Sequence, residues 1–407
     1  MNARDADPGA AVPLVVVIAP DSFKGSATAA DAARALATGW TRVRPFDRVI
    51  LKPMADGGEG TADAFATAFP EATAVPITVR GPDDRPVSTT WLHLPADSSG
   101  SAATAGGTAV IELASTSGIT LLDPLLPLHA HTYGFGEAIA AALAAGASRL
   151  VLAIGGSAST DGGSGMLAAL GARFTDADGR PLVLGGGGLA DLATIDISTL
   201  IPLPPGGVVV LTDVTNPLLG PSGAAAVYGP QKGADADTVS ELDHNLAHFS
   251  ACASAAFAPR GPVPNPEASG AGAAGGTGYG LALWGATLQA GATTVSELVN
   301  LTEALDHADL VITGEGRYDA QSAQGKVPTT VRDLAAKSRT QSYLVAGSIT
   351  ADSGAFAATR SLTDLAGSSE SSRTNALHWL ETAGAELASD TVHRDVTTWR
   401  TSFTAQS

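Results

Sequence analysis

The stretch RLVLAIGGSASTDGGSG, Arg149–Gly165, holds an apolar run from Leu150 to Ile154 that stops in a loop carrying Gly155, Gly156, Gly162, Gly163 and Gly165. A run that short, with β-branched Val151 and Ile154 and a glycine stop, reads as a buried strand of a parallel sheet emptying into a βα loop. Glycine lets backbone amides approach an anion closely, and hydroxyls add donors. Gly155, Gly156, Ser157, Gly162 and Gly163 are therefore candidates for an anion cradle. Asp161, the one carboxylate among them, then has to hold a metal ion, a hydroxyl proton or the loop's own amides. An Asp-Gly turn between strand and helix accounts for the same letters without any ligand.

Working outward, Phe135 to Ala145 reads as a small-residue helix closed by Gly146, so the stretch sits in a helix, strand, glycine loop, helix unit. Leu14 to Ala19, Val49 to Lys52, Thr108 to Leu113, Val208 to Thr212, Asp309 to Thr313 and a last one, Ser342 to Ala346, read as further strands. Helices are expected over Ala29 to Thr38, with Thr28 and Asp31 as a capping pair, and over Asp237 to Phe257, Pro328 to Lys337 and Arg373 to Leu387. From Val75 to Leu94 the text alternates apolar and polar around a Gly-Pro-Asp-Asp turn, as an antiparallel hairpin does. The glycine run Gly185 to Gly188 reads as a flexible surface loop. Gly270, Gly272 and Gly275 match G-x-G-x-x-G, but a dinucleotide fingerprint must follow a strand directly, and a loop rich in proline precedes this one.

At 407 residues the chain is long enough for two domains, and 44% hydrophobic with 15% charged residues describes globular interiors. A formal net charge of −17 argues against nucleic acid or an anionic membrane as a partner, since both call for basic surface. The single cysteine, Cys252, excludes an intrachain disulfide and a cysteine zinc site. Residues 1–12 have no apolar core and read as a disordered tail, and the run that follows is too short to span a bilayer. A cytoplasmic protein is expected.

Five loops, after Ile18, Lys52, Ile154, Thr212 and Thr313, each follow a short apolar strand and carry glycine or proline with Asp, Glu, Lys or Arg. Ligands of open α/β sheets bind outside the carboxyl ends of strands, where such loops converge. The loops place Asp21, Ser22 and Lys24, then Asp56, Gly57, Gly58 and Glu59, then Asp161. They go on to Asp213 and Asn216, with Lys232 beyond, and to Glu315, Arg317, Asp319 and Lys326. Carboxylates beside cations and amides are what phosphoryl transfer uses, with Mg²⁺ on the phosphates and a base on the acceptor hydroxyl. Neither a G-x-x-x-x-G-K-[ST] loop nor a protein-kinase motif set occurs.

The motifs VVIAPDSFKGS, ADGGEGT, IGGSASTDGGSGM, DVTNPLLG with GAAAVYGPQKGA, GAAGGTGYG and ADLVITGEGRYDAQSAQGKVP together resemble the glycerate kinase family of the first type, bacterial kinases without a Walker loop. The likeness runs in order from Leu14 to Gly347. It implies ATP-dependent phosphorylation of D-glycerate, usually at the 2-hydroxyl, and two α/β domains with mainly parallel sheets and the active site in their cleft. The expected division is residues 13–74 with 290–390 as a discontinuous Rossmann or flavodoxin-like domain, 75–289 as the inserted one and 391–407 as a tail. Ser159 and Thr160 replace an expected Thr-Asn, and Thr212 an expected Ala or Cys; both changes keep the following aspartate.

On that reading Mg·ATP and glycerate are the ligands; Asp213 and Asp161 are the candidates for taking the hydroxyl proton, with Asp213 preferred as the base and Asp161 as a metal or loop-ordering carboxylate. Lys24, Lys232, Arg317 and Lys326 contact phosphate or the glycerate carboxylate, Arg317 with a planar fork suited to a carboxylate. Asp56, Glu59 and Asp161 are the metal candidates, with Gly57 and Gly58 allowing close approach. A kinase for another small hydroxy acid and a non-catalytic acid-binding regulator are the alternatives, and a homodimer is a candidate assembly.

Overall fold

The computed structural model describes residues 12–96, 105–320, 322 and 326–392; nearly all of the expected N-terminal tail and of the expected C-terminal one lie outside them. In chain order the strands are β1 (Val15–Pro20), β2 (Arg48–Leu51), β3 (Thr73–Arg80), β4 (Pro86–Leu94), β5 (Thr108–Glu112) and β6 (Arg149–Ala153). They continue as β7 (Arg173–Thr175), β8 (Thr194–Asp196), β9 (Val208–Leu211), β10 (Thr287–Gln289), β11 (Leu310–Glu315), β12 (Gln341–Ala346) and β13 (Ala358–Ser361). The chain divides into two compact units: Met1–Ala55, Asp63–Ala68 and Val295–Ser407 form one, Asp56–Ala62 and Phe69–Thr294 the other.

The first unit is built on a five-stranded sheet of order β13-β12-β11-β1-β2, every neighbouring pair parallel. Numbered along the chain within this unit, that order is 2-1-3-4-5, the flavodoxin-like winding, which reverses direction between β1 and β11. Val16, Ile18, Leu310, Ile312, Tyr343 and Val345 bury one sheet face with Leu36, Trp40 and Leu380 from two helices. Those helices, Ala29–Val43 and Ala376–Val392, cross at glycines. A Cβ on Gly39 would lie 1.9 Å from the Glu381 carbonyl oxygen, and one on Gly384 would lie 2.3 Å from that of Leu36. The first helix starts where expected, the Thr28 hydroxyl accepting the Asp31 N–H at 3.0 Å.

The second unit is built on a six-stranded sheet of order β10-β9-β6-β5-β4-β3. Strands β5, β6, β9 and β10 run parallel without reversing order, and β3 with β4 adds the expected antiparallel hairpin to the β5 edge. Leu150, Leu152, Phe135, Ile139, Met166, Leu246, Phe249 and Tyr279 belong to its core. The mixed, mainly parallel α/β class expected from the sequence is the class observed.

Several local expectations need correction. Ser342–Ala346 is not the last strand: β13 pairs parallel with β12 beyond it, its four residues all half-buried as befits an edge. The closing helix is two, Ser369–Thr374 and Ala376–Val392, separated at Asn375. Gly185–Gly188 is no flexible loop. Gly185 and Gly186 are buried, the Gly187 N–H donates to the Leu128 carbonyl at 2.9 Å, and the Gly186 carbonyl accepts from the Asn245 side chain at 3.1 Å. Strand β11 extends to Glu315, which the sequence placed in the following loop.

Candidate active site

In the second unit, the carboxyl ends of β6 and β9 receive the loop Asp56–Gly60. The Gly155 N–H donates to the Gly57 carbonyl at 2.9 Å, and a Cβ on Gly155 would lie 2.7 Å from the Gly58 Cα. Gly57, at φ +91°, sits so close to the Leu211 carbonyl that a Cβ would reach it at 2.4 Å. Asp56 turns its own loop by accepting the Gly58 N–H at 3.1 Å, and Glu59 is exposed. Exposed Asp213 accepts the Gly291 N–H at 2.8 Å, at the start of the helix Gly291–Leu298. Asp56, Gly57, Gly58, Gly155 and Asp213 are thus gathered at one edge of one sheet.

Asp161 is 0% exposed and its acceptors are filled by the chain. Oδ2 accepts from the Thr132 N–H at 2.9 Å, the Thr132 hydroxyl at 2.8 Å and the Gly165 N–H at 3.2 Å, while Oδ1 accepts from the Gly163 N–H at 3.0 Å. Four donors on one buried carboxylate make it a group that orders the loop. Lys232, 3% exposed, donates to the Ser159 carbonyl at 2.5 Å rather than to solvent. Burial lowers its pKa to about 8, with the Asp161 charge opposing the shift. It braces the loop through that carbonyl.

Four other expected contact residues are likewise engaged within the chain. Gly162 donates its N–H to the Gly275 carbonyl at 3.0 Å and packs against Phe249, and the Gly163 N–H is spent on Asp161, so neither amide is offered to an anion. Ser157 is buried, its hydroxyl 3.1 Å from that of Ser159. Asn216 uses both ends of its amide locally, donating to the Ser222 carbonyl and accepting from the Tyr228 hydroxyl, each at 2.7 Å. Gly156 remains exposed.

Two segments outside this loop hold it in place, and of these Thr132 had no functional signal in the sequence. Thr132 precedes the helix Tyr133–Ala144, and besides holding Asp161 its hydroxyl accepts the Met166 N–H at 2.9 Å. The glycines of Gly270–Gly280 exist for close packing: a Cβ on Gly275 would lie 2.0 Å from the Ser159 carbonyl oxygen, and one on Gly280 would lie 2.5 Å from that of Gly162. The fingerprint-like spacing is therefore a backbone-on-backbone contact, as its position after a loop suggested.

In the first unit, polar groups collect where the winding reverses. The Asp21 N–H donates to the Gly314 carbonyl at 2.8 Å, joining the ends of β1 and β11, and the Asp21 carboxylate turns the chain by accepting the Ser22 N–H at 2.6 Å. Lys24 is exposed, and a Cβ on Gly316 would lie 3.2 Å from its backbone nitrogen. Glu315 ends β11, 6% exposed, with an Oε1 that has no hydrogen-bond partner among the described residues. Burial pushes its carboxyl above the ordinary value; the Ser322 hydroxyl, Lys326 and Lys24 pull it back in part, and Asp319 adds to the rise. Arg317, 67% exposed at its side chain, pairs with Asp319 at 3.6 Å, and half-buried Lys326 immediately precedes the helix Val327–Lys337.

No three His, Cys, Asp or Glu side chains are grouped to hold a metal ion among the described residues. Mg²⁺ beside a nucleotide takes one or two carboxylates, and Asp56 and Glu59 are carboxylates of one loop in the second unit. No helix among the described residues is long and apolar enough to cross a membrane.

Comparison with known proteins agrees with the motifs. The model of the glycerate kinase family matches residues 16–392, so the likeness continues past Gly347 to the last helix. Glycerate 2-kinase of Escherichia coli (strain K12) is 42% identical over 345 residues, 84% of this chain and 87% of that protein. Glycerate kinase of Bacillus subtilis (strain 168) is 43% identical over 346 residues, with the same two shares. The crystal structure of a candidate glycerate kinase 2 from Salmonella typhimurium LT2 superposes with a TM-score of 0.78 at 37% identity, over 93% of this chain and all of that one. The fold and its loops thus define a kinase with two α/β units and no Walker loop. The chain belongs to the glycerate kinase family.

Proposed function

We propose that the chain transfers the γ-phosphoryl group of ATP to the 2-hydroxyl of D-glycerate, forming 2-phosphoglycerate and ADP. The observation that carries this reading is the 42% identity, over 84% of the chain, to a relative named glycerate 2-kinase. The exposed Asp213, its carboxylate oriented by the Gly291 N–H, takes the hydroxyl proton as the new P–O bond forms and the bond to ADP breaks. Lys24, Arg317 and Lys326 hold the phosphates and the glycerate carboxylate, Arg317 through paired N–H donors. Half-buried Gly58 and exposed Gly156 let backbone come close to the nucleotide, while Gly57 and Gly155 pack their loops together. Mg²⁺, when bound, neutralises charge on the phosphates, and Asp56 and Glu59 are the carboxylates that would hold it.

Phosphorus NMR of the products after incubation with Mg·ATP and D-glycerate tests the proposal. The expected result is ADP with the 2-phosphate resonance. A 3-phosphate resonance would move the reaction to the other hydroxyl, and ADP formed only with a different hydroxy acid would replace the substrate.

A further inference from the structure

Among the buried side-chain atoms without a hydrogen-bond partner, Glu315 Oε1 is the one carboxylate oxygen in the described residues. Leaving such an acceptor unsatisfied costs more than an ordinary hydrogen bond contributes, so a fold keeps one only where something else completes it. Asp161 shows how this chain treats a carboxylate whose task is structural: it receives four donors. Glu315 stands instead at the carboxyl end of β11, next to β1, at the point of a parallel sheet where winding reverses and ligands enter. Lys24 and Lys326 both act on its charge, so cations suited to an anionic ligand flank it.

The geometry points to Glu315 as the residue that recognises a ligand hydroxyl in this unit, its Oε1 accepting the hydrogen bond of a hydroxyl that neighbours an anionic group. Both ligands of the proposed reaction carry that chemistry, glycerate in the hydroxyl that is not phosphorylated and the nucleotide in its ribose. A hydroxyl suits the position better than an ammonium or guanidinium. Burial raises the cost of charge at this carboxyl, and a neutral donor satisfies its oxygen without bringing in another buried charge. The lysines are left for the anionic part. This assignment rests on the kinase reading for the identity of the two ligands.

Titration calorimetry on the full chain tests it with two comparisons: D-glycerate against D-lactate, which lacks the 3-hydroxyl, and Mg·ATP against its 2′-deoxy and 3′-deoxy forms. In the wild type one comparison should show a preference for the hydroxyl-bearing ligand on the order of 10- to 100-fold. Glu315→Ala should shrink that preference to within about 3-fold, and the volume-conserving Glu315→Gln should reduce it in the same direction and carries the test if the alanine variant does not fold. Which comparison responds identifies the ligand. Equal weakening of both members, or a wild type indifferent to every hydroxyl, overturns the assignment. ADP release from Mg·ATP and D-glycerate, measured separately, reports on the kinase reading alone.

Discussion

Asp161 and Glu315 are both buried carboxylates in strand-end segments, and they meet opposite fates. Asp161, in the six-stranded unit, is saturated by Thr132, Gly163 and Gly165, and Lys232 lies near enough for its charge to be felt. Glu315, in the five-stranded unit, keeps one oxygen without a hydrogen-bond partner while lysines act on it from two loops. The two loops read alike as sequence, glycine-rich with an acid among them. What separates fold from function is the count of donors that reach each oxygen, a property of the assembled backbone. The sheets differ in the same sense, since only the five-stranded one reverses its winding between parallel neighbours.

The sharpest way to break the contrast uses exposed Asp213. Asp213→Asn should lower kcat by roughly 10²- to 10⁴-fold with nucleotide affinity largely kept, as steady-state kinetics and calorimetry would report; near-normal turnover removes it as the base. Asp161→Ala should act on stability instead, costing roughly 3–5 kcal/mol in denaturant unfolding because Lys232 loses its opposing charge and three amides lose their acceptor. An unchanged unfolding midpoint would contradict its structural role. Gly275→Ala, placing a Cβ 2.0 Å from the Ser159 carbonyl oxygen at φ +69°, should cost about 2–4 kcal/mol by the same measurement.

The smallest effect is in pH. A carboxyl raised by folding, as Glu315 is, binds its proton more tightly in the native state, so its contribution to stability falls as pH climbs above the ordinary 4.5. A lysine lowered from 10.5 to about 8 does the reverse: between those values the unfolded chain holds a proton the native one has released, and stability rises with pH. Unfolding curves of wild type, Glu315→Gln and Lys232→Met over pH should show each variant lacking its own slope. A slope kept by the variant would mean that another group titrates there.

Much of the fold was legible because short apolar runs such as Val16–Ala19 and Leu150–Ile154 are buried on both faces of parallel sheets. Strand β13, ATRS, was not, since a half-buried edge needs no apolar run, and the three-residue strands β7, β8 and β10 are too short for a pattern. The loops that carry Lys24 and Asp56, and the one that begins at the Glu315 strand end, could be found from glycine and charge after a strand. Which acids are available could not, because the donor that closes Asp161 comes from Thr132, 29 residues earlier. Nor does the sequence say that Gly39 and Gly384 are helix crossings or that Gly275 and Gly280 are packing sites, since each depends on a partner backbone distant in the chain.

Hydrogen–deuterium exchange of the full chain, with and without Mg·ATP or D-glycerate, tests the division between the two carboxylates most directly. Segments Asp21–Gly25 and Glu315–Asp319 should gain protection when ligand binds, while Gly162–Met166, whose amides are already held by Asp161, Thr132 and Gly275, should exchange as slowly without ligand as with it. Protection gained across Gly162–Met166 with none at Asp21–Gly25 or Glu315–Asp319 would contradict the account.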